Sequence, residues 1–177
     1  MKKFELTNET IIRFGRTLYR IKALISFGTV RAGDLGGYVE KEENLSQSGN
    51  AWVSGDAWVS GNARVSGNAW VSGDALVSGN AWVSGDALVS GNARVSCDAE
   101  ITKSTHYLTI GLIGSRNDTT TFFRTKNKEI NVKCGCFLGS ILDFRLKVKE
   151  THASNKHEKV YELACQLAEA QIERLAD

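Results

Sequence analysis

A six-residue unit recurs without a slip from Gly49 to Thr102, and it restricts this chain more than any other feature. The units read GNAWVS, GDAWVS, GNARVS, GNAWVS, GDALVS, GNAWVS, GDALVS, GNARVS and CDAEIT. Six is even, so the Val of every unit faces the same side of an extended chain. An α-helix, at 3.6 residues per turn, would scatter the same repeat around its surface. Unbroken hexads also exclude an antiparallel meander, which needs turn chemistry at longer intervals. What remains is a parallel β-solenoid with one short strand per unit. Gly followed by Asn or Asp supplies each bend, because these residues tolerate unusual backbone angles.

Read from the Val, each unit is V-S-G-[ND]-A-x, running from Val53 to Ile101. This resembles the hexapeptide repeat of left-handed parallel β-helix proteins: aliphatic first, small second, small fifth. The resemblance implies three hexads per triangular coil, left-handed winding, and homotrimers packed coil against coil. Nine hexads then make three coils, only about 14 Å tall, so flanking segments must cap the stack. The stretch from Gly33 to Ser54 also resembles the lead-in of hexapeptide-repeat proteins common in bacterial genomes and prophages.

The flanks divide the chain into an N-terminal β cap (1–30), the repeat region (31–102) and a C-terminal α+β domain (103–177). In the cap, Phe4–Leu6, Ile11–Phe14 and Leu18–Leu24 alternate as strands, with Gly15-Arg16 as a hairpin turn. An irregular first coil is expected over residues 30–48, with Leu45-Ser46 standing in for a Val-Ser start. Beyond the repeat, His106–Ile113, Thr119–Phe123 and Glu129–Cys134 read as strands, with turns at Asn117-Asp118 and Lys126–Lys128. Ile141, Phe144, Val148 and His152 share one helix face. Asn155 and Glu158 form a capping pair for a last helix reaching Ala176, with Val160, Leu163, Leu167, Ala170 and Leu175 as its apolar face. The segment carrying CGCF-x-G, a helix and then E-T-H resembles one found in phage-type proteins.

The residue before each Val points outward, and residues eighteen apart stack into columns. The first column is Trp52, Trp70, Leu88; the second Trp58, Leu76, Arg94; the third Arg64, Trp82, Glu100. The first is wholly apolar, and an exposed apolar strip rimmed by Trp suits an interface. It is therefore expected to carry self-association or a partner, with Trp58, Leu76 and Trp82 contributing. Simple shielding of the strands by stacked indoles is the alternative.

Several groups invite chemistry. Hexapeptide-repeat acyltransferases use a His base and a loop that interrupts a coil. Here His106, His152 and His157 all lie outside the uninterrupted repeats. Cys134, Cys136 and His152, with His157, could ligate zinc or make a thiolate–imidazole pair. C-x-C is shorter than the usual C-x₂₋₄-C, and both sulfurs would share one strand face, so packing as small apolar groups is the simpler reading. Arg116 and Asn117, with Arg124 and Lys126, could hold a phosphate or nucleotide. No phosphate-loop signature accompanies them, and a polar hairpin tip looks the same. The corner Asn and Asp residues could attract Ca²⁺, but side chains bonding their own corner backbone explain them more simply.

Charge is nearly balanced, 22 Lys plus Arg against 20 Asp plus Glu, which argues against DNA, RNA or an anionic membrane as partner. There is no secretory signal and no apolar run of membrane-spanning length, so a cytoplasmic protein with reduced thiols is expected, in the host cytoplasm if phage-encoded. No cofactor is implied. The expected function is a non-enzymatic oligomeric scaffold that binds a host defence protein or its nucleotide signal through the C-terminal domain. Acyl transfer, or thiol or metal chemistry at Cys134, Cys136 and His152, is the competing class.

Overall fold

The structure, a computed structural model, describes residues 1–172. Leu175 and Ala176, assigned above to the last helix, lie outside the described residues. Strands β1 (Phe4–Arg13) and β2 (Arg16–Ala23) form an antiparallel hairpin. Its turn is Phe14-Gly15, one residue earlier than expected, with φ of 48° and 74°. Two left-handed residues in a row give the twist that a tight hairpin favours.

β2 pairs antiparallel with β3 (Leu35–Val39), and β3 runs parallel to the repeat strands. The N-terminal cap is therefore continuous with one solenoid face rather than a separate layer. The repeats supply nine two-residue strands: β4 (Trp52–Val53), β5 (Trp58–Val59), β6 (Arg64–Val65), β7 (Trp70–Val71), β8 (Leu76–Val77), β9 (Trp82–Val83), β10 (Leu88–Val89), β11 (Arg94–Val95) and β12 (Glu100–Ile101). They stack in parallel on three faces: β3-β5-β8-β11, β4-β7-β10 and β6-β9-β12. Leu45 bridges in parallel to Val65 and completes the irregular first coil.

The Ala and the aliphatic residue of every hexad are fully buried. These two inward positions line the coil interior, and the hydrophobic effect fixes the register of each strand. At the corners the Gly residues take φ near +65°. A side chain there would also meet the next coil: at Gly67 an added Cβ would lie 3.0 Å from the Gly85 nitrogen. Cys97 replaces Gly only in the last hexad, at φ 57°.

The C-terminal domain is an antiparallel sheet of β13 (Tyr107–Ile113), β14 (Asp118–Arg124), β15 (Ile130–Cys134) and β16 (Phe137–Ser140), backed by α1 (Ile141–His152) and α2 (Lys156–Gln171). β16 was not among the expected strands. Cys134 and Cys136 do not share a strand face, because Gly135, at φ 54°, turns the chain between them. The Ser140 side chain accepts the Asp143 N–H and caps α1, while Asn155 accepts from His157 and Glu158 and caps α2.

Ile141, Phe144 and Val148 bury one face of α1 as expected. The face of α2 is a correction. Tyr161, Ala164, Cys165 and Ala168 are buried, whereas Val160, Leu163 and Leu167 are exposed. Small residues at the contact let α2 approach the sheet closely, and the bulkier stripe is left outside. Arg145 on α1 joins the helices, reaching Glu162 at 3.0 Å and Glu169 at 2.7 Å. No helix among the described residues is long and apolar enough to cross a membrane.

Candidate ligand groove

The outward column Trp58, Leu76, Arg94 is the floor of a groove of about 540 Å³. Its position follows from the topology. The β1–β2 turn leans over the first of these residues and places Phe14 with its ring 5.9 Å from that of Trp58, the planes at 30°. The β15–β16 turn forms the facing wall with Lys133, Gly135 and Leu138. Beside this column run Ser60, Ser78 and Ser96, then Asn62 and Asn80. The eighteen-residue period makes each stripe parallel to the solenoid axis. The Asn62 amide donates to Asn80 at 3.3 Å, and Asn80 to Asp98 at 3.3 Å. Corner amides thus bond one another along the stack instead of their own backbone.

The groove is cationic at one end. Neither the Arg94 guanidinium nor the Lys133 ammonium has an acidic partner among the described residues. Arg116 extends over the same turn, its Nε 2.9 Å from where a Cβ on Gly135 would lie. Arg16, at the other end, is paired with Glu40 at 2.8 Å. The Gly61 N–H and then Arg16 hold the Glu40 carboxyl below the usual carboxylate range. The Ser96 hydroxyl is buried without a hydrogen-bond partner in the described chain.

The other expected site residues are dispersed. Trp52 is only 2 % exposed, packed edge-on against Phe27 with ring centroids 5.4 Å apart. The segment before the repeats covers it, so the Trp52, Trp70, Leu88 column is not a continuous exposed strip. Trp70 is half-buried, its indole N–H bonded to Ser54 at 3.0 Å. Trp82 and Leu88 remain exposed on different faces. Trp58 and Leu76 are groove floor.

Arg124 is a correction: it is buried at the junction with the solenoid, 3.6 Å from Glu100. Lys126 pairs with Asp98 at 3.2 Å and holds that carboxyl below its usual range. Both cations tie the C-terminal sheet to the last coil. Arg116 and Asn117 are exposed in the β13–β14 turn.

Cys134 is buried, 3.8 Å from the Tyr161 hydroxyl and 3.3 Å from that of Thr120. Burial, and then Cys134, push the Tyr161 hydroxyl up to about 12. His152 lies against Tyr161, with Ser115 at 3.4 Å, while Cys136 is exposed in its turn. Among the described residues no group of three or more His, Cys, Asp and Glu could hold a metal ion. A smaller cleft, about 330 Å³, lies between α1 and α2, but Arg145 and Glu162 cross it as an ion pair.

Sequence reasoning missed Phe14, Arg16, Lys133 and Leu138, and it placed Arg94 in a column without assigning it a site. The grading of that column from Trp to Arg was the available signal. The walls come from residues far away in the chain.

Among protein families, the chain is similar to the YdcK beta solenoid repeat over residues 57–73 and 69–85. That match covers regular coils only and agrees with the parallel solenoid. No curated protein matches the chain.

Proposed function

We propose that the protein is a non-enzymatic binding protein that holds a small ligand in the groove between the β1–β2 turn and the C-terminal sheet. One observation carries this: a single cavity of about 540 Å³ is lined by the hairpin, three coils and the β15–β16 turn together. That volume falls within the roughly 300–1,000 Å³ common for small-molecule sites. The lining has a floor that grades from Trp58 and Leu76 to Arg94, hydroxyl and amide stripes, and cations. It contains no His, Cys, Asp or Glu among the described residues, so it offers contact and charge rather than a general base. Coils that are hydrogen-bonded on all three faces hold the floor rigid, which limits the entropy lost on binding.

The hexapeptide resemblance adds finer parts to this proposal. The solenoid winds left-handed, and the protein is of phage type and acts in the host cytoplasm. What it sequesters is a host defence component or its nucleotide signal.

The test is a titration with 8-anilinonaphthalene-1-sulfonate, an aromatic anion whose fluorescence rises in apolar sites. One saturable site per chain is expected. Leu76→Glu, which puts a carboxylate on the floor, abolishes it while the melting temperature stays within a few degrees of wild type. Equal binding by the variant would overturn the assignment of the groove.

A further inference from the structure

We infer that the groove is polarised and takes a nucleoside phosphate, with the base at Phe14 and Trp58 and the phosphate at Arg94 and Lys133. This inference rests on the groove being the ligand site.

The polarity comes from the solenoid itself. Trp58, Leu76 and Arg94 stand in register on successive strands of one face. Strand spacing of about 4.8 Å separates the first from the last by roughly 10 Å along the axis. One end therefore presents an aromatic face and the other a cation.

Phe14 marks the aromatic end. It is 85 % exposed, although a large apolar ring at a tight turn has no folding reason to face solvent. Its neighbour Trp58 is half-buried and tilted 30° to it. The two rings, already in contact, make an aromatic platform on whose exposed side a flat group can stack, and any base has a π-face to offer.

Three observations mark the cationic, phosphate-binding end. Among the described residues Arg94 and Lys133 lack acidic partners and no carboxylate lines the groove. Arg116 does not line the groove but lies against Gly135, which does, so a third cation stands close behind that wall. Ser96 lines the groove beside Arg94, and its buried hydroxyl has no hydrogen-bond partner among the described residues, so a rotation of its side chain would free a donor. Charge-assisted bonds from Arg, with Lys and a hydroxyl donor, suit phosphate oxygens. Between the poles Ser78 and Asn80 offer hydroxyl and amide groups at the level of a sugar.

The experiment is calorimetric titration with adenosine 5′-monophosphate, adenosine and inorganic phosphate, on wild type, Arg94→Ala and Trp58→Leu. Adenosine 5′-monophosphate is expected to bind at least roughly tenfold tighter than adenosine, the effect of one charge-assisted contact. Arg94→Ala removes that difference and leaves adenosine binding in place. Added salt weakens the phosphate and spares adenosine. Trp58→Leu weakens both nucleoside ligands and leaves inorganic phosphate unchanged. Adenosine binding as tightly as its monophosphate, or indifference to Arg94→Ala, overturns the inference. Binding of anilinonaphthalene sulfonate with no binding of adenosine 5′-monophosphate overturns this inference alone, whereas failure of both ligands overturns the groove reading as well.

Discussion

The Lys3 ammonium donates to the Ala51 carbonyl at 2.8 Å across the open first coil of the solenoid. It also lies 3.4 Å from the Gly49 carbonyl and 4.9 Å from the Phe27 ring centre. The Asn44 amide does the same for Gly61 and Ala63, at 3.1 and 2.8 Å. Along the stack each coil's N–H groups donate to carbonyls of the next, as Trp58 does to Ala75 at 3.0 Å. The first coil is therefore short of donors and the last short of acceptors. At the last coil, oxygens of Ser104, Tyr107 and Thr121 accept the N–H groups of Leu88, Ser90 and Arg94. Each end is closed by the complementary chemistry, so neither is left as a template for pairing with another chain.

Lys3→Met tests this cap. The variant keeps the apolar stem and removes the donor, leaving the Ala51 carbonyl without its Lys3 bond. A loss of about 1–3 kcal/mol is expected in urea denaturation. An unchanged midpoint would show that Lys3 does not close the coil.

The same residue sets a pH dependence. Burial lowers the Lys3 pKa from 10.5 to about 8. Between those values the unfolded chain holds the proton and the folded chain has lost it. The unfolded state binds more protons, so stability rises with pH across that window, by at most about 1.4 kcal/mol per pH unit. Denaturation midpoints from pH 7.5 to 9, below the range in which the raised Cys165 thiol acts in the opposite direction, should show the rise in wild type and not in Lys3→Met.

Corner glycines should differ by their place in the stack. Gly67 and Gly91 have φ of +68° and +65°, but only Gly67 is overlaid by another coil. Gly91→Ala is expected to carry left-handed strain alone, about 1–2 kcal/mol. Gly67→Ala adds a contact with the Gly85 backbone and should lower the melting temperature further. Equal losses would mean that the stacking distance does not select Gly.

Two of the four thiols should react with Ellman's reagent in the native protein. Cys97 and Cys136 are exposed, while Cys134 and Cys165 are buried. Burial pushes the Cys165 thiol up to about 12, so little thiolate forms at neutral pH. Adding guanidinium should release the remaining two. Four fast thiols in the native state would contradict the packing of α2.

Self-association should depend on α2 more than on the Trp columns. Leu163 and Leu167 are 55 % and 52 % exposed, with Leu142 and Leu146 exposed on α1. Trp70 is half-buried and bonded to Ser54. Light scattering is expected to show an oligomer whose mass falls in Leu163→Glu/Leu167→Glu and stays unchanged in Trp70→Glu. The reverse result would return the interface to the solenoid face.

The solenoid was legible because its information is local and repeated. In every hexad Ala and an aliphatic residue fall two positions apart, so one face of an extended strand buries both. The caps of α1 and α2 are local too, and Asn155 with Glu158 was readable from spacing alone. β16 was missed because Gly135 turns the chain inside a run that reads as one strand. The buried face of α2 was misjudged because hydrophobicity favours Leu163 and Leu167, whereas close packing selects Ala164 and Ala168.

By itself the sequence determined the parallel strands, their register and the columns of outward residues, since a two-residue alternation leaves each side chain no choice of face. Tertiary structure alone decided what those columns are for. Trp52 and Trp58 occupy equivalent positions in consecutive hexads, yet Phe27 closes over the first and Phe14 stands open beside the second. Lys133 reaches the Trp58 face from a sheet more than seventy residues further along the chain. Such meetings depend on how a hairpin and a capping domain dock against the rod, and no period in the sequence encodes that.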